Sequence, residues 1–528
     1  MRDSTRMSRL RRPALRLLPL TLGVVLIAAP ASASCRKVLP RSFFEGTATT
    51  PGATAPVCRH SEQASRIAAL LAAGRPVIEA GVTVHGPLLL PKHLSVPLVL
   101  RRSCFLGPVR GTHATFENLV DFTNSSFHAG VDFTGAHFRE PLLFSRAFVR
   151  DGQRASFAFA LFDSAAIVSG TRFGGPTTFD GAEFNGTSRF TGAQFGGPAT
   201  FRLASFARLA DFVNATFERG ASFADAELRS VGDFGGAQFA NSARFDGVHF
   251  SGLAEFIGTI FATTQQPARF DRARFDGDAS FANALFIDGA SFYLLRGTQN
   301  LDFDSAQIEK TIDFSTAQLL GDTSFPHAGV HGLLNLDQAV VRSLDLRGAQ
   351  LYKFRIPSTD GSGGIRSLRI GPADSACAVD ADGKYARAAQ ERVLTLGQQA
   401  ATADHDLSSA NDAEIRLRSM ERDSRPFVPR MLDWAFWWGV LGYFVLPVHQ
   451  LILIGLVFVI GVFVRWLNTR GSVEDDFSAS VDSLLRLTPP KSGAAKVEYL
   501  VFKFLVVVLI VNVSNVWPPF RDLFQGVF

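Results

Sequence analysis

Tyrosine is nearly absent from this chain: five Tyr stand against 49 Phe. Binding faces favour aromatic rings with a polar handle, so an aromatic surface is not the first explanation of so many phenylalanines. Cysteine is also sparse. The four, Cys35, Cys58, Cys104 and Cys377, include no CxxC pair and no zinc spacing. In an exported region Cys35–Cys58 with Cys104–Cys377 is one of the three connectivities that four cysteines permit, and unpaired thiols are the alternative. No P-loop, GxSxG or HExxH is present, nor a GxGxxG between a strand and a helix. Catalytic, cofactor-binding and metal-binding residues are therefore all expected to be none, and the chain is not read as an enzyme. The 11 His are scattered. Asp404-His405-Asp406 is the one local acid–His–acid cluster, and it reads as a solvated turn between helices. Asp180, Asp211, Asp233, Asp246 and Asp271 recur, but without the Gly-Gly-x-Gly-x-Asp pattern of a calcium-binding β-helix.

Charge is uneven. The formal net charge is +5, but the stretch from Met1 to Ser34 alone carries six Arg and one Asp. Residues 112–330 hold 16 basic and 24 acidic side chains, a net of −8. The basic excess is not on the large central region, which argues against nucleic acid as a partner.

What the chain has in abundance is a ladder. Phe173, Phe179, Phe184, Phe190, Phe195, Phe201, Phe206, Phe212, Phe217 and Phe223 follow one another at alternating steps of six and five residues. Leu228 takes the next rung and Phe234 to Phe261 continue it. A small residue stands two before many rungs, as Ala182 does before Phe184 and Ala199 before Phe201. The period of 11 residues fits neither a heptad nor strict alternation. A fixed short repeat indicates a solenoid, with the rungs as its structural core. The ladder runs from Phe116 to Phe325. Breaks are expected at 149–157, 263–267 and 293–300, and the last turns use Leu344, Leu346 and Leu351.

The units Phe179-Asp-Gly-Ala-Glu-Phe184, Phe190-Thr-Gly-Ala-Gln-Phe195 and Leu346-Arg-Gly-Ala-Gln-Leu351 resemble the pentapeptide-repeat family, in a Phe-rich variant. The resemblance covers about half of the chain. It implies a mainly β protein, a right-handed quadrilateral β-helix with the large residue and the small one before it both pointing inward. Every second unit here has six residues, so two five-residue and two six-residue sides would make a coil of about 22. Some cytosolic members of that family protect DNA gyrase by imitating DNA; the expected export of this chain argues against that role.

The flanks complete the plan. Residues 1–33 read as a signal peptide: a basic start, an apolar run from Leu17 to Ala29, and Ala31-Ser32-Ala33 before the cleavage point. Residues 34–76 read as loop and capping helix, with Ser61 as N-cap and Gly74 as stop. The β-helix is assigned to 77–356, and 357–425 to a linker and helical stalk or cap. Residues 426–528 are read as a membrane region with two transmembrane helices, about 442–466 and 499–517.

The expected function is a membrane-anchored, extracytoplasmic scaffold or protein-binding surface on the bacterial cytoplasmic membrane. Its partner is an unknown envelope protein, and self-association through the membrane region is a further expectation. A channel-like or mechanosensing protein is the alternative, although no Thr-Val-Gly-Tyr-Gly filter stands between the two apolar runs.

Overall fold

Two-residue strands alternate with corners along most of the chain, and each pairs in parallel with its counterpart one coil later, as Glu183-Phe184 does with Ser205-Phe206. The computed structural model describes residues 58, 60–263, 266–357, 364–370, 377–380, 382, 384–423 and the single positions 455, 459, 500, 501 and 503. Two compact units divide the chain, Met1–Ala33 and Ser34–Phe528, and all described residues belong to the second. The expected signal peptide and Cys35 lie outside the described residues, as do the two apolar runs almost entirely. Gly455, Val459, Leu500, Val501 and Lys503 are helical. Among the described residues no helix is long and apolar enough to cross a membrane.

The pairings form two all-parallel sheets of 25 and 24 strands, each made of two ladders that share a corner. Every coil thus has four sides, and the solenoid makes about 14 turns. The repeat explains the register. Ala182 and Phe184 are both fully buried, as are their counterparts around the coil. Stacking repeats each ring on the next coil: Phe184 and Phe206 lie 4.7 Å apart and 2° from parallel. That distance is the interstrand spacing of a sheet. Rings from neighbouring sides meet edge to face, as Phe217 and Phe223 do at 6.1 Å and 87°, and so do rings from opposite sides, as Phe212 and Phe223 do at 5.2 Å and 87°. Each buried ring contributes on the order of 1.5–3 kcal/mol through lost apolar surface.

Tight corners need left-handed backbone. Gly181 and Gly192 supply it with φ of +65° and +63°. Asn214, Asp225 and Asn283 adopt it at equivalent corners, as short polar side chains tolerate. Phe159, Leu203 and Leu294 adopt it too, although bulky side chains disfavour it.

Two of the three expected breaks are insertions. Val109 pairs with Val131 at the regular offset, but Val131 pairs with Ala155, two positions beyond it. The extra pair of residues lies between Val149 and Ala155. Across the second insertion Ala254 pairs with Ala279, three positions beyond the regular offset. At 293–300 the expectation is corrected: Arg274 pairs with Arg296 and Arg296 with Gln318, both in the regular register. Gly297 simply stands where a Phe would, and Leu301 reaches to 2.6 Å from where its Cβ would be. The last coils shrink. Leu334 pairs with Phe354, two positions short of the regular offset. Gln318–Ser324 and Gly329–Asn335 are continuous strands that replace a corner.

Both ends of the apolar cross-section are covered. The first coil begins before residue 77: His60–Gln63 (β1) pairs with Val82–His85. Helix α1 (Ala64–Ala72) follows, and Gln63, not Ser61, is its N-cap. Ser61 is held in the strand. Ile67 and Leu71 of α1 join the core. At the other end the expected linker contains a strand, Gly364–Arg369, paired with Val340–Asp345. Helix α2 (Arg387–Ala403) packs on that strand and is backed by α3 (Leu407–Asp423). Val393 of α2 belongs to the core cluster, so this pair is a cap rather than a free stalk. Gly397 lies inside α2, where a Cβ would stand 3.0 Å from Ile370.

Candidate functional site

None of the ladder residues Phe173 to Phe223 reaches the surface. Whatever the solenoid recognises must meet the positions between the rungs. The side of the coil that follows the first insertion is the most differentiated. Its outward strand residues stack in one column by register: Arg110, Asp132, Ser156, Thr178, Thr200, Ser222, Arg244 and Arg269. Ser156, Thr178, Thr200 and Ser222 make an uncharged hydroxyl strip between Asp132 on one side and Arg244 on the other. Thr200 Oγ1 donates to Thr178 Oγ1 at 3.1 Å.

One border of this side is apolar. Phe159 and Leu203 occupy the left-handed corner two coils apart, 69% and 64% exposed. Gly181 lies between them, under the Phe159 ring. Strained backbone carrying exposed apolar side chains costs free energy that the core does not require, which makes this corner a candidate contact.

The opposite border carries the first insertion and, with it, a cavity of about 270 Å³. Pro108 and Ala129 are its apolar lining, the strand backbone of the core residues Val109 and Val131 forms its floor, and Arg110, Asp132, Thr134, Gln153, Arg154 and Ser156 are its polar lining. Gly130 makes the turn possible with φ +80°; a Cβ there would stand 2.5 Å from the Arg154 carbonyl oxygen. That oxygen accepts from the Val131 N–H at 3.1 Å. Asp132 Oδ1 accepts from the Thr134 N–H at 3.1 Å and from Thr134 Oγ1 at 2.7 Å.

Acidic residues stack on another side. Asp211, Asp233 and Glu255 occupy one column on successive coils. Burial raises the Asp233 carboxyl above its ordinary 3.8, and the charge of Asp211 adds to it. Burial and the Asp233 charge raise Glu255. Asp246 is buried between Arg244 (3.0 Å) and Arg269 (2.8 Å), while Asp180 and Asp271 are spread along the hydroxyl side. Among the described residues no group of three or more His, Cys, Asp or Glu could hold a metal. Asp404 pairs with Arg369 at 2.7 Å, Asp406 accepts from the Ser409 N–H at the start of α3, and His405 takes the left-handed turn between the helices.

The cysteine pairing differs from the Cys35–Cys58 and Cys104–Cys377 arrangement. Cys58 is bonded to Cys104, with Cα atoms 6.1 Å apart. Cys377 is also disulfide-bonded.

Residues 100–147, 179–227 and 190–237 match the family described as Pentapeptide repeats (9 copies). The Phe-rich coils within those residues are similar to pentapeptide repeats. No curated protein and no solved structure matches the chain. The matched segment 100–147 stops before the first insertion and Arg154. Neither Arg154 nor the exposed corner was singled out from the sequence, although the insertion beside them was. Laying the coils over one another in register would have found both.

Proposed function

We propose that this β-solenoid is a non-enzymatic, protein-binding scaffold, anchored by residues 426–528 in a bacterial cytoplasmic membrane with its coils on the outer side. The observation that carries the binding reading is the corner formed by Phe159 and Leu203. Exposed apolar side chains held at positive φ beside a flat hydroxyl strip offer what a partner protein buries at the centre of an interface. The Cys58–Cys104 disulfide supports the location, because such bonds persist in oxidising compartments. The basic, then apolar, start of the chain supports export in the same direction.

Photo-crosslinking in cells tests the binding surface. A photoreactive residue at Thr200 should give one discrete adduct, lost when Phe159→Ala and Leu203→Ala are added; the probe at Phe159 should give the same adduct, and the probe at Arg189 on another side should give none. Adducts indifferent to position would overturn the reading. A phosphatase reporter fused at Gly361 tests the location, and activity confined to the cytoplasm would refute it.

A further inference from the structure

The column of residues that immediately precede the strands of the hydroxyl side is nearly uniform. In register it reads Pro87, Pro108, Gly130, Arg154, Pro176, Pro198, Gly220, Ser242, Pro267, Gly289 and Thr311. Pro, Gly and small hydroxyl residues suit the corner, which turns sharply and offers little room. Arg154 is the single charged residue in it, and it stands directly after the insertion that opens the cavity. Arg110 faces the same cavity from two coils earlier. Both are exposed, and neither guanidinium has an ion pair or side-chain hydrogen bond with a described residue.

The hydroxyl groups in the wall have already committed their protons. Thr134 Oγ1 donates to Asp132 Oδ1, which as a carboxylate can only accept. The 2.7 Å contact between Thr134 and Ser156 must then have Ser156 as donor. The donors left for a ligand are the two guanidiniums and the Gln153 amide. Two positive charges against the single carboxylate of Asp132 leave the wall with one net positive charge.

We propose that this cavity is a carboxylate-binding site, in which Arg110 and Arg154 clasp the carboxylate of an acidic peptide side chain or of a free small organic acid. The guanidinium fork matches a planar carboxylate. Inorganic phosphate can meet the same guanidiniums but has no apolar arm to lay against Pro108 and Ala129, so the site favours a carboxylate carried on an alkyl chain. A volume of about 270 Å³ lies just below the usual range for drug-sized ligands, so it admits a side-chain-sized group. The partly exposed Pro108 and Ala129 can pack against the methylenes of such a group. This site deepens the reading of the solenoid as a binding surface but does not depend on its location.

Arginine modification by phenylglyoxal, mapped by mass spectrometry on the full chain, tests it. Four probes are compared: glutarate, a capped tripeptide Gly-Asp-Gly, its Gly-Asn-Gly counterpart and inorganic phosphate. Glutarate or the Asp peptide should slow modification of Arg110 and Arg154 together, about fivefold when the probe stands at about four times its dissociation constant. Arg208, exposed on another side, should be unaffected. Protection by the peptide alone assigns the carboxylate to a protein, and protection by glutarate alone assigns it to a free acid. Arg154→Ala should abolish protection of Arg110. Equal protection by phosphate or by Gly-Asn-Gly, or no protection by either carboxylate probe, would overturn the proposal. Photo-crosslinking at Phe159 is unaffected by either result, so failure here is separable from failure of the binding-surface reading.

Discussion

The ring of Phe159 lies across Gly181 on the next coil, so close that a Cβ on Gly181 would stand 2.6 Å from the ring. Gly192, at the opposite corner of the coil with nearly the same φ, has no atom within 4 Å of its Cβ position. Gly192→Ala should therefore cost only the left-handed backbone, about 1–2 kcal/mol. Gly181→Ala should cost more, because the ring must also move. Adding Phe159→Ala to Gly181→Ala should return the cost to that of Gly192→Ala. A double-mutant cycle on denaturation midpoints reads the difference, and equal costs for the two single variants would show that the ring makes no close contact.

Phe212 meets Phe201 and Phe223 edge to face and stacks on Phe234, all with ring centroids within 5.3 Å. Phe212→Ala leaves a cavity that rigidly stacked coils cannot close, at a cost of about 3–5 kcal/mol. Phe159→Ala removes a ring that is 69% exposed and should change stability by about 0.5 kcal/mol or less. Neighbouring coils support one another directly in a solenoid. Hydrogen exchange should accordingly rise most in the coils on either side of Phe212. Uniform exchange along the whole solenoid would contradict nearest-neighbour stabilisation.

The stacked carboxylates predict an acid response of unusual sign. Burial raises the folded-state pKa of Asp233 and Glu255 above their ordinary 3.8 and 4.5. Groups shifted upward favour folding below the unfolded pKa, and that contribution is lost as pH rises through the folded pKa. Asp276 acts oppositely. The Arg274 hydrogen bond holds it low, His249 assists, and burial opposes them. Its stabilisation is present above the unfolded pKa and lost as pH falls. Asp233→Asn keeps an acceptor for the Gly235 N–H and removes a like-charge neighbour from the column. It should raise stability at pH 7 by about 0.2–1 kcal/mol and the gain should vanish near pH 3. A gain that persists at pH 3 would show that charge is not its source.

The coil was legible because a β-helix writes its cross-section into the chain. Alternating steps of five and six between Phe173 and Phe223 define the register found in the ladders. Small residues such as Ala182 reveal which other positions turn inward. Less was legible where structure depends on pairing with a remote coil rather than on local pattern. His60–Gln63 is polar and becomes a strand because Val82–His85 offers an open edge. Gly364–Arg369 sits in a Gly/Ser-rich stretch and becomes a strand through Val340–Asp345. Gly297 resembled a slip because its missing ring is replaced by Leu301, further along the same coil. The pocket needed both the insertion and the arginine from an earlier coil. Only the insertion leaves a trace in the spacing.

The Cys58–Cys104 bond closes a sequence separation of 46 residues across the first coils. Chain-entropy arguments assign such a cross-link about 2–4 kcal/mol. Thr83 pairs with Cys104 and His60 with Val82, so the bond ties the chain just before β1 to the coil on which the first complete turn rests. Its loss should act locally. With Cys58→Ser/Cys104→Ser, hydrogen exchange should accelerate in β1 and α1, which cover the apolar end at Val84 and Leu88, while the coils around Phe201 stay protected. Exposure of that end would also leave an unpaired parallel edge at Val82–His85, a template for association between copies. The doubly substituted protein should therefore form higher oligomers more readily, visible by light scattering, and addition of a reductant to the parent protein should reproduce the effect. Loss of protection throughout the solenoid would mean instead that the bond supports the fold as a whole.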